Sequence, residues 1–210
     1  MNAIRKLIEM SASETARAVD LNGLRRGLTS LAVPAELSEL LSARNGLYAF
    51  EGALHVFPDR GERGGFGLVE WNQRELWMSA YGDILPSGLL FFAEDAFGGQ
   101  FAITDGVVVS FEPETGELAH VGDSLLEWAQ AILVNYEYMT GHPLAHAWQV
   151  RYGALTAGYR LNPRIPFVCG GEYSVENLNA VPSDEGLRQR ARLATAIRDL
   201  PDGATLSWPL

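Results

Sequence analysis

The stretch GLLFFAEDAFGGQFAITDGVVVSFEPETGE, residues 88–117, reads as three β-strands joined by two acidic turns. Leu89–Ala93 is a short apolar run, long enough for a buried strand. Glu94-Asp95-Ala96-Phe97-Gly98-Gly99 breaks it with two carboxylates and two glycines. Gln100–Thr104 and Val107–Glu112 are further β-rich runs separated by Asp105-Gly106. Asp-Gly between apolar runs is a strong hairpin signal, because both residues accept the positive φ of a type I′ turn. Pro113-Glu114-Thr115-Gly116 supplies the next turn, with Pro fixing φ and Gly relieving strain. A meander with acidic tips is the frame on which the rest of the chain is placed.

Working outward from it, Ile4–Glu9 reads as a short helix, and Thr15–Ser30 as a weak helix broken by Gly23 and Gly27. Ala35–Asn45 has Pro34 at its start, Gly46 past its end, and Leu37, Leu40 and Leu41 on one stripe. Leu47–Phe50 and Ala53–Phe57 form a hairpin about Glu51-Gly52, and the glycine-rich 58–67 reads as a mobile loop. Leu68–Tyr81 has helical spacing. Beyond the meander come a short strand at Leu118–Val121 and a helix from Ser124 to about Thr140, opened by the capping box Ser124-Leu125-Leu126-Glu127. His142–Tyr152 reads as a further helix. From Gly153 the chain is rich in Gly and Pro, with a strand at Ile165–Cys169, a helix Asp184–Leu200 capped by Ser183, and a strand at Ala204–Trp208.

The fold class that follows is α+β: one mostly antiparallel central sheet with helices packed against it, plus a C-terminal helical and loop extension. The extension, 151–210, is expected to pack on the domain formed by 1–150, since about 60 residues are marginal alone.

The net charge is −10, and it is concentrated. Residues 51–150 carry three Lys/Arg against 15 Asp/Glu, while the flanking segments are each near neutral. That balance argues against nucleic-acid binding, which needs cations for phosphate, and favours a basic protein partner. The single cysteine, Cys169, excludes an intramolecular disulfide framework and fits a reducing compartment. No apolar run approaches the ~18–20 residues of a membrane helix. The expectation is a soluble, cytoplasmic protein.

Catalytic patterns are sparse. His142 and His146 have the four-residue spacing of two metal ligands, but Pro-Leu-Ala lies between them and the sequence places no third ligand. Cys169 sits beside Gly170-Gly171 without a readable histidine partner. Glu94 and Asp95 are adjacent, so on an extended strand they point to opposite sides, which is a poor start for a paired acid/base site. The glycine-rich 61–67 lacks the Gly-Lys-Ser/Thr of a phosphate loop. The reading is no catalytic residues, no metal and no cofactor, with a hydrolase using His142/His146 or Cys169 as the alternative.

The order of elements resembles the SUKH superfamily, which joins fungal cell-wall-synthesis regulators with bacterial and viral relatives. The likeness spans Leu31–Met139 and rests on Pro34, Leu37, Asn45-Gly46, Phe92-Ala93, Asp95, Gly98-Gly99 and Ser124 to Trp128. Phe97 and Gln100 depart from the tighter Asp/Gly run usual in that central loop. The tail segments PFVCGGEY, ENL and DLPDG resemble extensions of some bacterial members. The resemblance implies a non-enzymatic binding protein, in bacteria an immunity protein against a toxin that is often a nuclease. A scaffold in the cell's own machinery is the reading the fungal relatives suggest. On either reading the expected partner-binding residues are the meander acids Glu94, Asp95, Asp105, Glu112, Glu114 and Glu117.

Overall fold

The computed structural model describes residues 2–13, 17–62, 65–201 and 203–204. Seven strands run in sequence order across one antiparallel sheet. They are β1 (Ala12–Ser13), β2 (Leu47–Ala49), β3 (Leu54–Val56), β4 (Leu90–Asp95), β5 (Gln100–Thr104), β6 (Val107–Phe111) and β7 (Leu118–Gly122). The α+β class is as the sequence implies.

The uninterrupted apolar run of β4 has a simple cause: both faces of the sheet are covered there. Phe92 packs on Trp128 of α5 (Leu125–Val134), as does Phe101. Phe91 points the other way, onto Trp77 and Phe111. A register shift between Phe91 and Ala93 accommodates both rings. At the tip between β5 and β6, Asp105 (φ 48°) and Gly106 (φ 84°) are both left-handed, as a type I′ turn requires.

The helices preceding the meander are α1 (Ala3–Glu9), α2 (Leu21–Gly27), α3 (Ala35–Ala43) and α4 (Leu68–Trp71). Thus α2 starts only at Leu21, keeps Gly23 inside its span and ends at Gly27; Gly23 N–H donates to Asp20 Oδ1 at 2.8 Å, capping its start. The expected Leu68–Tyr81 helix is only α4 followed by a 3₁₀ turn at Met78–Tyr81. Asn72 stops it. Its amide donates to Phe91 O at 2.8 Å and its carbonyl accepts from Phe91 N at 2.9 Å, so the side chain acts as a strand partner for β4.

After the meander, Ser124 caps α5 by accepting from Glu127 N at 3.1 Å, while the Glu127 carboxylate reaches Asp123 N rather than the Ser124 N–H. α6 (Tyr136–Thr140) and α7 (His142–Tyr152) follow, separated by left-handed Gly141 (φ 68°), where any Cβ would collide with the Phe97 ring. The extension differs from expectation. It contains a two-stranded antiparallel ribbon, β8 (Tyr159–Pro163) and β9 (Leu178–Pro182), before α8 (Ser183–Ile197). Ile165–Cys169 is not a strand; its end is a 3₁₀ turn between Pro166 and left-handed Gly170. The expected strand from Ala204 to Trp208 lies outside the described residues beyond Ala204, as do residues 63–64 of the glycine-rich loop.

Leu187, Ala191 and Ala194 of α8 belong to the same buried cluster as the central sheet. A second cluster joins Ala145 of α7, Leu161 of β8 and Leu178 of β9 to Ala53 and Ala96. The extension therefore closes one end of the meander, where β4 hands over to β5.

Candidate functional site

The six meander acids divide by position and by burial. Gln100 pairs with Phe111 and Thr104 with Val107, so the turn at 95–99 and the turn after β6 share one end of the sheet. Asp105 lies at the other end, exposed, and is separated from the rest by the length of the strands. Glu117 is exposed and borders a neighbouring hollow with Cys169 and Arg198. Asp95, Glu112 and Glu114 come together in a cleft of about 460 Å³.

Glu94 is not a docking acid: it is 1 % exposed and faces inward. Arg160 Nε on β8 lies 3.0 Å from Glu94 Oε1, and His55 Nδ1 lies 3.1 Å from the same oxygen. The single Ser183 hydroxyl hydrogen is shared between Glu94 Oε1 at 3.3 Å and Gly158 O at 3.1 Å, so Ser183 joins α8 to this network instead of capping its own helix. The other carboxylate oxygen accepts from Gln100 Nε2 at 3.4 Å, and Gln100 Oε1 in turn accepts from the Trp71 indole at 2.8 Å. Burial pushes the Glu94 carboxyl up, but the Arg160 charge and the His55 and Gln100 contacts outweigh it and hold it below the ordinary range. The tail thus supplies the cation that lets the acid sit in the core.

The cleft lies between the β6–β7 turn, the α6–α7 junction and the extension. Asp95 Oδ1 accepts from the Phe97 and Gly99 amides, both at 2.8 Å, which fixes the turn above it. Burial, then the nearby Glu112 charge, push the Asp95 carboxyl up to about 7 against those two amides. Glu114 is 3 % exposed; one oxygen accepts from Val168 N at 2.9 Å, and the other has no partner among the described residues. Burial followed by Glu112 raises its carboxyl as well. Arg190 of α8 is 5 % exposed, donates to the carbonyls of Gly186 and Phe97, and leaves Nη2 unpartnered among the described residues. A buried acceptor and a buried donor therefore both line a cleft without being satisfied.

The sequence reading missed Glu137, Arg190, Tyr138 and Tyr173, which complete the cleft. Tyr138 and Tyr173 are 84 % and 73 % exposed, large aromatic surface left facing solvent at a concave site. No local pattern marked them: Tyr138 lies on the short α6 and Tyr173 in the loop ahead of β9.

Of the alternative catalytic groups, Cys169 is half-buried, and burial followed by Glu114 pushes its thiol up, away from the nucleophilic thiolate. His120 is exposed beside Asp123, with Nε2 2.8 Å from Oδ1. His142 and His146 do acquire a third neighbour that the sequence could not place, Glu51 of the β2–β3 turn. No helix among the described residues is long and apolar enough to cross a membrane.

No family model matches the chain, and no curated protein matches it. Among solved structures, the fold is similar to the crystal structure of Atu4351 from Agrobacterium tumefaciens, with a TM-score of 0.63 and 13 % identity. The match covers 88 % of this chain and 86 % of that one, so most of each chain lies in the shared architecture. At that identity the likeness is one of fold.

Proposed function

We propose that the protein is a non-enzymatic binding module whose cleft receives a cationic segment of a protein partner, and that it acts as an immunity protein of the SUKH type against a toxin with a basic surface. The observation that carries this reading is the cleft itself: Asp95, Glu112 and Glu137 around the Glu114 oxygen that has no partner among the described residues, flanked by the exposed rings of Tyr138 and Tyr173. One buried acceptor, ringed by the exposed carboxylates of Glu112 and Glu137 and bordered by tyrosines, suits an Arg- or Lys-bearing loop, since aromatic anchors and complementary charge favour such an encounter. A nuclease toxin must present cations to hold its own phosphate substrate, so an acidic partner has a ready target. The negative balance of residues 51–150 would speed that encounter.

The test is co-expression with the product of the adjacent gene. Rescue from toxicity, a complex that weakens with salt, and loss of both in Glu112→Lys combined with Tyr138→Ala are expected. A complex indifferent to ionic strength, or unaffected by that pair, counts against the cleft. A non-toxic neighbour and a partner from the cell's own machinery would favour a scaffold instead.

A further inference from the structure

The β2–β3 turn has an unusual backbone. Phe50 (φ 52°), Glu51 (φ 55°) and Gly52 (φ 84°) are consecutive left-handed residues, and L side chains rarely adopt that region. The surroundings hold the turn in place. Gln149 of α7 donates its amide to Glu51 O at 3.0 Å, and the Phe50 ring stacks on Tyr136 at 4.7 Å. The effect is to aim the Glu51 side chain across α7 at the two histidines spaced one turn apart.

Glu51 Oε2 lies 2.6 Å from His146 Nδ1 and 3.6 Å from His142 Nε2. The three potential ligand atoms all lie within 4.8 Å of one another. Ligands held about 2.0–2.2 Å from a tetrahedral Zn²⁺ are separated by roughly 3.4 Å. The two carboxylate–imidazole separations bracket that value, so small side-chain rotations suffice to close the set. His142 is half-buried, its ring tilted against Tyr136 at 5.4 Å, which restrains one imidazole while the other two ligands face solvent.

We infer that Glu51, His142 and His146 form a binding site for one divalent transition-metal ion of the Zn²⁺ class. Two imidazoles and a carboxylate suit Zn²⁺, Co²⁺, Ni²⁺ or Cu²⁺ and disfavour Mg²⁺ and Ca²⁺, which require oxygen ligands. The exposed side of the cluster leaves a coordination position for water or for a donor from another molecule. Metal at this position ties the β2–β3 turn of the central sheet to α7, whose first turn also contributes Pro143 and Leu144 to the acidic cleft.

Calorimetric titration of the metal-free full chain with Zn²⁺, and the visible absorption of its Co²⁺ form, test the site. One equivalent of Zn²⁺ is expected, with tetrahedral or five-coordinate Co²⁺ bands. Glu51→Gln, His142→Ala and His146→Ala should each weaken binding by more than about tenfold, at least the cost of losing an outer-sphere partner. His120→Ala, at the other exposed histidine, should leave affinity unchanged. Added Zn²⁺ should raise the unfolding midpoint of the wild-type chain and not that of His146→Ala, whose midpoint without metal should match wild type. Absence of stoichiometric binding overturns the proposal. So does binding that survives all three substitutions or is lost in His120→Ala.

Discussion

Glu94 and Glu51 each place one carboxylate oxygen against a histidine Nδ1, at 3.1 Å and 2.6 Å respectively, yet the two sites have opposite characters. Around Glu94 the histidine is buried, an arginine neutralises the charge, and Gln100 and Ser183 fill remaining acceptor positions. Around Glu51 the partners among the described residues are imidazoles, and the carboxylate is exposed. The difference shows that the residue types alone do not make a binding site. What matters is whether the fold uses up the coordination capacity. The core pair joins the extension to the sheet, whereas the surface cluster retains lone pairs for an incoming cation.

The contrast is broken most severely by Arg160→Ala. It strands the buried Glu94 charge and is expected to cost about 3–5 kcal/mol in urea unfolding. Adding Glu94→Gln to that variant should recover part of the loss, because the residual group no longer carries charge. Trp71→Phe acts one bond further out. It leaves Gln100 Oε1 buried without its 2.8 Å donor and should cost about 1–3 kcal/mol by the same measurement.

Protonation sharpens the comparison further. Glu94, held below the ordinary range, contributes its stabilisation above that range and loses it only as pH falls through its depressed value. Asp95 runs the other way. With its carboxyl at about 7, the bound proton favours the fold at low pH, and that stabilisation is lost as pH rises through 7. Asp95→Asn keeps an oxygen for the Phe97 and Gly99 amides and removes the titration. Relative to this variant, wild type should lose up to about 3 kcal/mol between pH 5 and 8 in denaturant melts. The smallest effect belongs to Glu51→Gln, which without metal should leave the unfolding midpoint where it is, as an exposed pair predicts.

Much of the fold was legible because turn chemistry and helix periodicity are local. Asp105-Gly106 and Pro113-Glu114-Thr115-Gly116 announced the meander, and His142–Tyr152 was found at its observed bounds. The ribbon β8–β9 was not legible. Its sequences YRLNP and LNAVP carry Asn and Pro, and its first strand is held against the sheet by Arg160, a contact set by Glu94 far away in the chain. The Leu68–Tyr81 spacing misled for a related reason: Asn72 gains more by bonding Phe91 of β4 than by prolonging a helix. At the site, the acids could be named but their fates could not. Burial of Glu94 and Glu114, and the separation of Asp105 from the others, depend on the register and on the tail's arginines.

The tail's grip on Glu94 also orders events during synthesis. Within β4–β7 each strand pairs with the next across a short turn, so these contacts are local and close quickly. Ser183 lies 89 residues beyond Glu94, and until it and Arg160 have left the ribosome the carboxylate must stay hydrated and the strand end open. Maturation of the nascent chain should therefore end with a late docking step, seen in refolding as a slower phase that Arg160→Ala removes while the faster phase persists.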